Sequence, residues 1–170
     1  MPVRKGKSKI SGGASLLLAL SLSGAPLASE NLRLDVVDED GATVFHEPVT
    51  EGAQWCVFWN HSVQHFLVRD CFAALDGNMV LERSHQPDFA AGLGHIPGRG
   101  TMTSAPDGGY WIEGINEAVP KNCLRLRVGA PGVDHRIVVN GRDFNLSAIA
   151  PRKAVRIVLR PAGQEGEQSC

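Results

Sequence analysis

The chain has 170 residues, with 17 Lys and Arg against 18 Asp and Glu, and its formal net charge is −1. This length suits one domain of ordinary size, and 43% hydrophobic residues are enough for a globular core. Four of the basic residues and no acid fall within residues 1–28, so the remainder has 13 basic and 18 acidic residues and a charge of −5. That balance argues against nucleic acid or an anionic membrane surface as partner.

Residues 1–28 have the form of a secretory signal peptide. A basic start is followed by the apolar stretch "GASLLLALSLSGAPLA", which is shorter than the ~20 residues that a membrane-spanning helix needs. We place cleavage near Ala28 or Ser29. The alternative is an uncleaved anchor, which would be the protein's one route to membrane attachment.

Strand patterns dominate from residue 30 onward. In chain order they are "NLRLDVV", "TVFHEPV", "QWCVFWN", "HFLVRDCFAAL", "NMVLERS", "GYWIEGI", "CLRLRVG", the hairpin "HRIVVNGRDFNLS", and "AVRIVLR". The segment from His85 to Pro106 is rich in Gly and Pro and weakly patterned, and helix is expected only around Pro87–Ala91. We therefore predict one all-β domain over residues 30–162, an antiparallel β-sandwich or barrel-like fold of about eight to nine short strands. Residues 163–170 are predicted to form a disordered tail.

The stretch "FWNHSVQHF" predicts a hairpin corner. If Ser62–His65 form the turn, His61 lies opposite Phe66, and the same register places Cys56 opposite Cys71. Directly opposite cysteines can form a cross-strand disulfide, whereas a slip of one residue would leave two buried free thiols. The four cysteines permit three pairings, and none has the C-x-x-C spacing of a zinc site. Cys170 is expected to be mobile.

The same register bears on catalysis. His61 and Asp70 share a face but lie four positions apart, roughly 13 Å at about 3.3 Å per residue, which is too far for a direct hydrogen bond. Ser62 adjoins His61 in sequence, and the side chains of neighbours on an extended chain point apart. These two residues are therefore not expected to form a nucleophile–base pair. His61 and His65 have the spacing of a metal-ligand pair on a helix, although two histidines beside a tight turn could also converge. We predict no catalytic set, no metal site and no cofactor.

The glycines of "AAGLGHIPGRG" do not follow a strand and open a helix, so a dinucleotide-binding loop is not indicated. Gly92 and Gly94 are interpreted as part of a tight loop. The alternative is that they form an anion-binding nest together with Arg99.

Four segments in order, "WNHSVQHFLVRD", "GNMVLERSHQPDFAAGLG", "CLRLRVG" and "DHRIVVNGRDFNLS", resemble a bacterial family known as domain of unknown function 1850. The likeness spans about residues 52–160. The family has an H-S-V-E corner, and the chain keeps its first three residues as "HSV" but has Gln64 in place of the acid. Asp70 matches a later carboxylate, Gly92 and Gly94 match a glycine loop, and His135 matches a later histidine.

The resemblance implies a periplasmic or secreted protein of the bacterial envelope that assists solute uptake. Members of the family are often encoded beside tripartite ATP-independent periplasmic (TRAP) transporters with a TAXI-class receptor. We therefore expect a non-enzymatic accessory protein that binds the receptor, the membrane subunits or a small anionic solute. His61, Ser62, Asp70 and His135 would line or brace one end of the fold. The alternatives are a His-dependent or metal-assisted hydrolase and a purely structural envelope module.

Overall fold

The computed structural model describes residues 1–2, 31–87, 96–164, 166 and 170. Within these residues the chain forms eleven strands: β1 Asn31–Asp38, β2 Thr43–Thr50, β3 Gln54–Asn60, β4 Leu67–Leu75, β5 Asn78–Gln86, β6 Thr101–Ser104, β7 Tyr110–Ala118, β8 Cys123–Arg127, β9 Arg136–Val139, β10 Arg142–Asn145 and β11 Ala154–Pro161. A 3₁₀ turn, Pro120–Asn122, precedes β8, and one helical turn, α1 Leu146–Ile149, lies between β10 and β11. Across the described ranges, we find no helix of the length and hydrophobicity that a membrane crossing requires. The predicted signal segment lies almost entirely outside the described residues.

The strands form two antiparallel sheets. The smaller has the order β2-β1-β11-β8 and the larger the order β10-β9-β3-β4-β5-β7-β6. Side chains from both sheets join one core cluster, as in a β-sandwich. The all-β sandwich prediction is confirmed, and in the described part of the chain neither sheet closes on itself. The strand count exceeds the expected eight to nine partly because β6 forms inside the weakly patterned segment 85–106, where no strand was predicted.

Alternation of nonpolar and polar residues sets the inner faces. In β1, Leu32, Leu34 and Val36 are at most 1% exposed and point into the core, while Arg33 and Asp35 lie on the opposite face, where the buried Asp35 carboxylate forms ion pairs with Arg33 and Arg160. The larger sheet contributes five side chains to the same core, Trp55, Val57, Phe72, Ile137 and Val139. Each large nonpolar side chain buried this way contributes roughly 1.5–3 kcal/mol relative to an exposed one.

The predicted hairpin register is confirmed. Cys56 pairs with Cys71 between β3 and β4, and these two residues form a disulfide. The backbone N–H of His61 donates to the carbonyl of Phe66 at 2.8 Å, which closes the corner in the expected register. The β9–β10 hairpin also forms as predicted, on Asn140 and Gly141, whose φ values of 50° and 72° suit a type I′ turn.

The C-terminal residue is held against the smaller sheet, which differs from the expectation that Cys170 is mobile. Cys123 and Cys170 form a second disulfide. Arg125 donates to the main-chain oxygen of Cys170 at 2.6 Å, and Arg160 donates to that of Gly166 at 2.9 Å. Residues 165 and 167–169 of the predicted tail lie outside the described residues.

Helix occurs away from the expected place. Pro87 lies in a bend, and residues 88–91 are not among those described. The helical turn α1 instead follows β10, where the Asn145 side chain caps it by accepting the N–H of Ala148 at 2.9 Å. This helical turn comes after the β9–β10 hairpin in the chain and lies at the end of the sandwich that carries His135.

Candidate functional site

The β3–β4 corner is braced by a histidine ring. Nδ1 of His61 accepts the backbone N–H of Val63 at 3.3 Å and that of Gln64 at 3.1 Å. The ring also stacks on Phe66, with 5.1 Å between ring centroids. His65 takes a left-handed conformation with φ of 60°, and its N–H donates to the carbonyl of His61. The His61 side chain therefore satisfies turn amides that would otherwise rely on water.

The braced corner presents nonpolar side chains to solvent. Val63 is 72% exposed and Leu67, where β4 begins, is 39% exposed. Ser62 is exposed between the histidine and the valine. Since the backbone is held by hydrogen bonds, these side chains sit on a fixed support.

His135 braces a second loop, the one between β8 and β9. Its Nδ1 accepts the N–H of Gly129 at 2.9 Å, and its own N–H donates to the buried Ser147 hydroxyl at 2.9 Å. Burial lowers the pKa of the His135 imidazole below 6.5, while the nearby Asp134 carboxylate acts in the opposite direction. His135 is thus favoured as a neutral ring.

The two braced loops lie at one end of the sandwich. The N–H of Asn60, at the end of β3, donates to the carbonyl of Val133 in the β8–β9 loop at 2.7 Å. Trp59 stacks with the His135 ring at 6.1 Å between centroids. His61 and His135 are therefore placed on neighbouring, hydrogen-bonded loops.

The protonation of these rings limits their chemistry. A ring nitrogen that accepts an N–H carries no proton, so the proton of the neutral ring is on Nε2 in both His61 and His135. The lone pair that a general base or a metal ligand would use is then engaged by the backbone. In this arrangement each ring can donate from Nε2 but has no free acceptor.

Asp70 lies apart from this end, on the inner face of the larger sheet. It pairs with Val57 on β3 and with Ser84 on β5. Burial raises the pKa of the Asp70 carboxyl above 3.8, and the hydrogen bond from Ser84 and the charge of Arg99 lower it in part. The observed register keeps Asp70 four positions from His61, so these two side chains do not form a direct pair.

A chain of polar side chains leads away from Asp70 and was missed by sequence reasoning. The Tyr110 hydroxyl donates to Gln86 at 3.0 Å, and the Gln86 amide donates to Ser84 at 3.4 Å. Sequence pattern hid it because β5 shifts register between its pairings with Cys71 and Phe72, which breaks the alternation of faces. As a result Ser84, and not Arg83, lies opposite Asp70.

A second missed cluster lies on the outer face of the larger sheet around Trp111. Arg83 stacks on this ring at 4.6 Å, and His85 contacts it at 4.9 Å between centroids. Arg69 forms an ion pair with Asp107, and its hydrogen bond lowers the pKa of that carboxyl. These residues are brought together across neighbouring strands by the same register shift. The cluster therefore has no sequence motif from which it could be predicted.

The remaining predicted residues are placed as follows. Gly92 and Gly94 lie outside the described residues. Among the residues that the structure describes, no group of three or more His, Cys, Asp or Glu is arranged to hold a metal ion. His65 is exposed at the corner.

Comparison with known proteins adds one result. The model of the family called domain of unknown function (DUF1850) matches residues 56–146, more than half of the chain. The chain belongs to the DUF1850 family. Neither the curated proteins nor the solved structures gave a match. The matched range contains both braced loops and Asp70.

Proposed function

We propose that this DUF1850 protein is a non-enzymatic accessory protein of the bacterial envelope that assists a TRAP-type importer of the TAXI class. It would act by binding a transporter component, the receptor or the membrane subunits, or a small anionic solute. The observation that carries the proposal is the braced corner, in which His61 fixes a turn that exposes Val63, and Leu67 is exposed where β4 begins.

Rigid nonpolar side chains on a loop are suited to protein recognition. Binding is opposed by the ordering of loops and side chains, so a corner already fixed by hydrogen bonds loses less freedom when a partner covers it. Loops on a stiff β scaffold are also where binding residues concentrate.

The chemistry of the histidines favours binding over catalysis. Both rings use Nδ1 to hold backbone amides, and Asp70 is too distant to polarise His61. A hydrolase that relied on either imidazole would have to break the hydrogen bonds by which Nδ1 of that imidazole holds its loop. The two disulfides are consistent with an extracytoplasmic protein, because such bonds persist in oxidising compartments.

The test is direct binding with matched variants at the two ends of β4. Leu67 and Leu75 are 39% and 38% exposed, and they begin and end the same strand. We expect Val63→Asp and Leu67→Asp to weaken capture of the purified TAXI-class receptor or membrane subunits at least ~10-fold, since each buries a charge at the contact. Leu75→Asp, at the far end, should bind like the wild type.

Uptake provides the second readout. A strain lacking the gene should import the solute more slowly, and the wild-type gene and the Leu75→Asp gene should restore import. The Leu67→Asp gene should not. Failure of every transporter component to bind, together with unaltered uptake in the deletion strain, would overturn the proposal.

A further inference from the structure

An arginine and a glutamate stand side by side on the outer face of the larger sheet. Arg83 on β5 lies directly opposite Glu113 on β7, so both side chains leave the same face. Within the part of the chain that the structure describes, neither side chain forms an ion pair or donates or accepts a hydrogen bond. Glu113 is exposed and Arg83 is half-buried.

The Arg83 guanidinium is held by an aromatic ring instead of by a carboxylate. Its central carbon lies 4.6 Å from the centroid of the Trp111 ring, which projects from the same face of β7 as Glu113. Stacking of this kind uses the flat side of the guanidinium, so the N–H donors around its edge remain available. Arg83 is thus fixed in position without an acceptor.

The other charged groups around this ring already have partners. Arg69 on β4 lies 5.9 Å from the centroid of Trp111 and forms an ion pair with Asp107. His85 donates from Nε2 to the carbonyl of Gly108 at 2.9 Å. The patch around Trp111 therefore has no net charge beyond that of Arg83 and Glu113, which cancel each other.

A neutral patch with one unpaired cation beside one unpaired anion is complementary to a second copy of itself. A two-fold axis that lies in the plane of contact, between β5 and β7 and along the strands, places Arg83 of each copy against Glu113 of the partner subunit. The same operation forms both ion pairs, because Arg83 and Glu113 occupy one level of neighbouring strands. It also stacks the two sheets with their strands aligned, which is a common way for sheets to pack.

The composition and size of the patch suit a weak dimer. Trp and Arg are the residue types most enriched at the energetic centres of protein contacts, and here their stacking fixes both before contact. The patch covers β4, β5, β7 and the short β6, of which the longest have nine residues. At about 4.8 Å between strands and about 3.3 Å per residue it measures roughly 500 Å² per copy, or about 1,000 Å² for two, the low end for a specific interface.

We propose that the outer face of β5 and β7 is a contact surface between two copies of this chain, in which Arg83 of each copy binds Glu113 of the partner subunit. The charge balance of the patch favours a second copy over a strongly acidic or basic protein. The inference goes beyond the proposed function and does not involve the β3–β4 corner.

Sedimentation equilibrium of the oxidised protein tests the proposal. We expect monomer at ~1 μM and a growing share of dimer toward ~1 mM, and a protein that stays monomeric over this range would overturn the proposal. Arg83→Glu and Glu113→Arg each set like charges against each other at both contacts, so each should weaken the dimer at least ~10-fold. Arg127→Glu makes the same charge change at an exposed position of the smaller sheet and should weaken the dimer less than ~2-fold.

Mixing the two interface variants separates a lost contact from a damaged fold. In an equimolar mixture of Arg83→Glu and Glu113→Arg, opposite charges meet at both contacts, so the mixture should form a heterodimer although neither variant dimerises well alone. A mixture that stays monomeric, or single variants that associate like the wild type, would refute the contact. Should a single variant fail to fold, the Arg83→Glu/Glu113→Arg double variant decides instead, because it restores opposite charges both within the chain and across the axis. A dimer of the double variant supports the contact, and a monomer refutes it.

Discussion

The Cys56–Cys71 disulfide offers the sharpest test of the fold, since it depends on the register of the β3–β4 hairpin. The cysteines are 15 residues apart in sequence. Closing a loop of this length in the unfolded chain removes entropy that corresponds to about 3 kcal/mol at 25 °C. Breaking this bond should therefore lower the free energy of unfolding by about 3 kcal/mol, which is a large part of the 5–15 kcal/mol that is usual for a domain.

The measurement isolates this bond from the other. In a Cys123→Ala/Cys170→Ala variant, the oxidised and reduced proteins differ only in the Cys56–Cys71 bond. Urea unfolding of both forms gives the difference in free energy without a further substitution. A difference below ~1 kcal/mol would refute the reasoning, because it would mean that the unfolded hairpin is already closed or that the native bond is opposed by the fold.

Three further predictions concern the tail, the buried carboxyl and the corner. The Cys123–Cys170 bond closes a loop of 47 residues, and the same relation gives a stabilisation of about 4 kcal/mol. Urea unfolding of the Cys123→Ala/Cys170→Ala variant should show a smaller loss of unfolding free energy, because the freed tail gains conformational freedom in the native state too. A loss of about 4 kcal/mol or more would contradict this. The pKa of Asp70 is raised above 3.8, so the contribution of this carboxyl to stability is complete below pH 3.8 and is lost as the pH rises through the folded-state pKa. Asp70→Asn should therefore raise the melting temperature relative to wild type at pH 7 and not at pH 3. An equal gain at both pH values would argue against this reasoning. Asn can accept turn amides as His61 does, so His61→Ala should cost about 1 kcal/mol in urea unfolding and His61→Asn less than half of that; equal losses would show that the ring nitrogen does not brace the turn.

The β3–β4 hairpin was predictable because its signals are local and agree with each other. The stretch Gln54–Asn60 is rich in aromatic and β-branched residues, the turn residues follow at once, and only one register places Cys56 opposite Cys71. Asn140 and Gly141 gave the β9–β10 hairpin for the same reason, since the dipeptide suits the left-handed conformations of a type I′ turn. Where turn chemistry and strand propensity coincide, pairing can be derived from sequence.

Features that depend on distant segments or on broken alternation could not be derived. Nothing near Cys170 in sequence indicates that it meets Cys123, because that pairing is set by where β8 lies in the smaller sheet. The shift of register in β5 places Ser84, instead of Arg83, opposite Asp70, which the pairing counted from the Asp76–Gly77 turn does not predict. The polar chain from Tyr110 to Asp70 therefore emerges only in three dimensions.

The histidines illustrate how one residue type supports two different readings of a sequence. An exposed "HSV" corner with a later histidine is compatible with an acid–base site, and the structure does bring the loops of His61 and His135 to the same end of the sandwich. The direction of the hydrogen bonds supports a bracing role, because in both rings Nδ1 receives a backbone N–H and the proton of the neutral ring is on Nε2. Both side chains then stabilise their loops through hydrogen bonds. The groups available for contact with another molecule are the side chains that those loops expose. Recognition of another molecule by these exposed side chains is the role that we propose for this end of the sandwich.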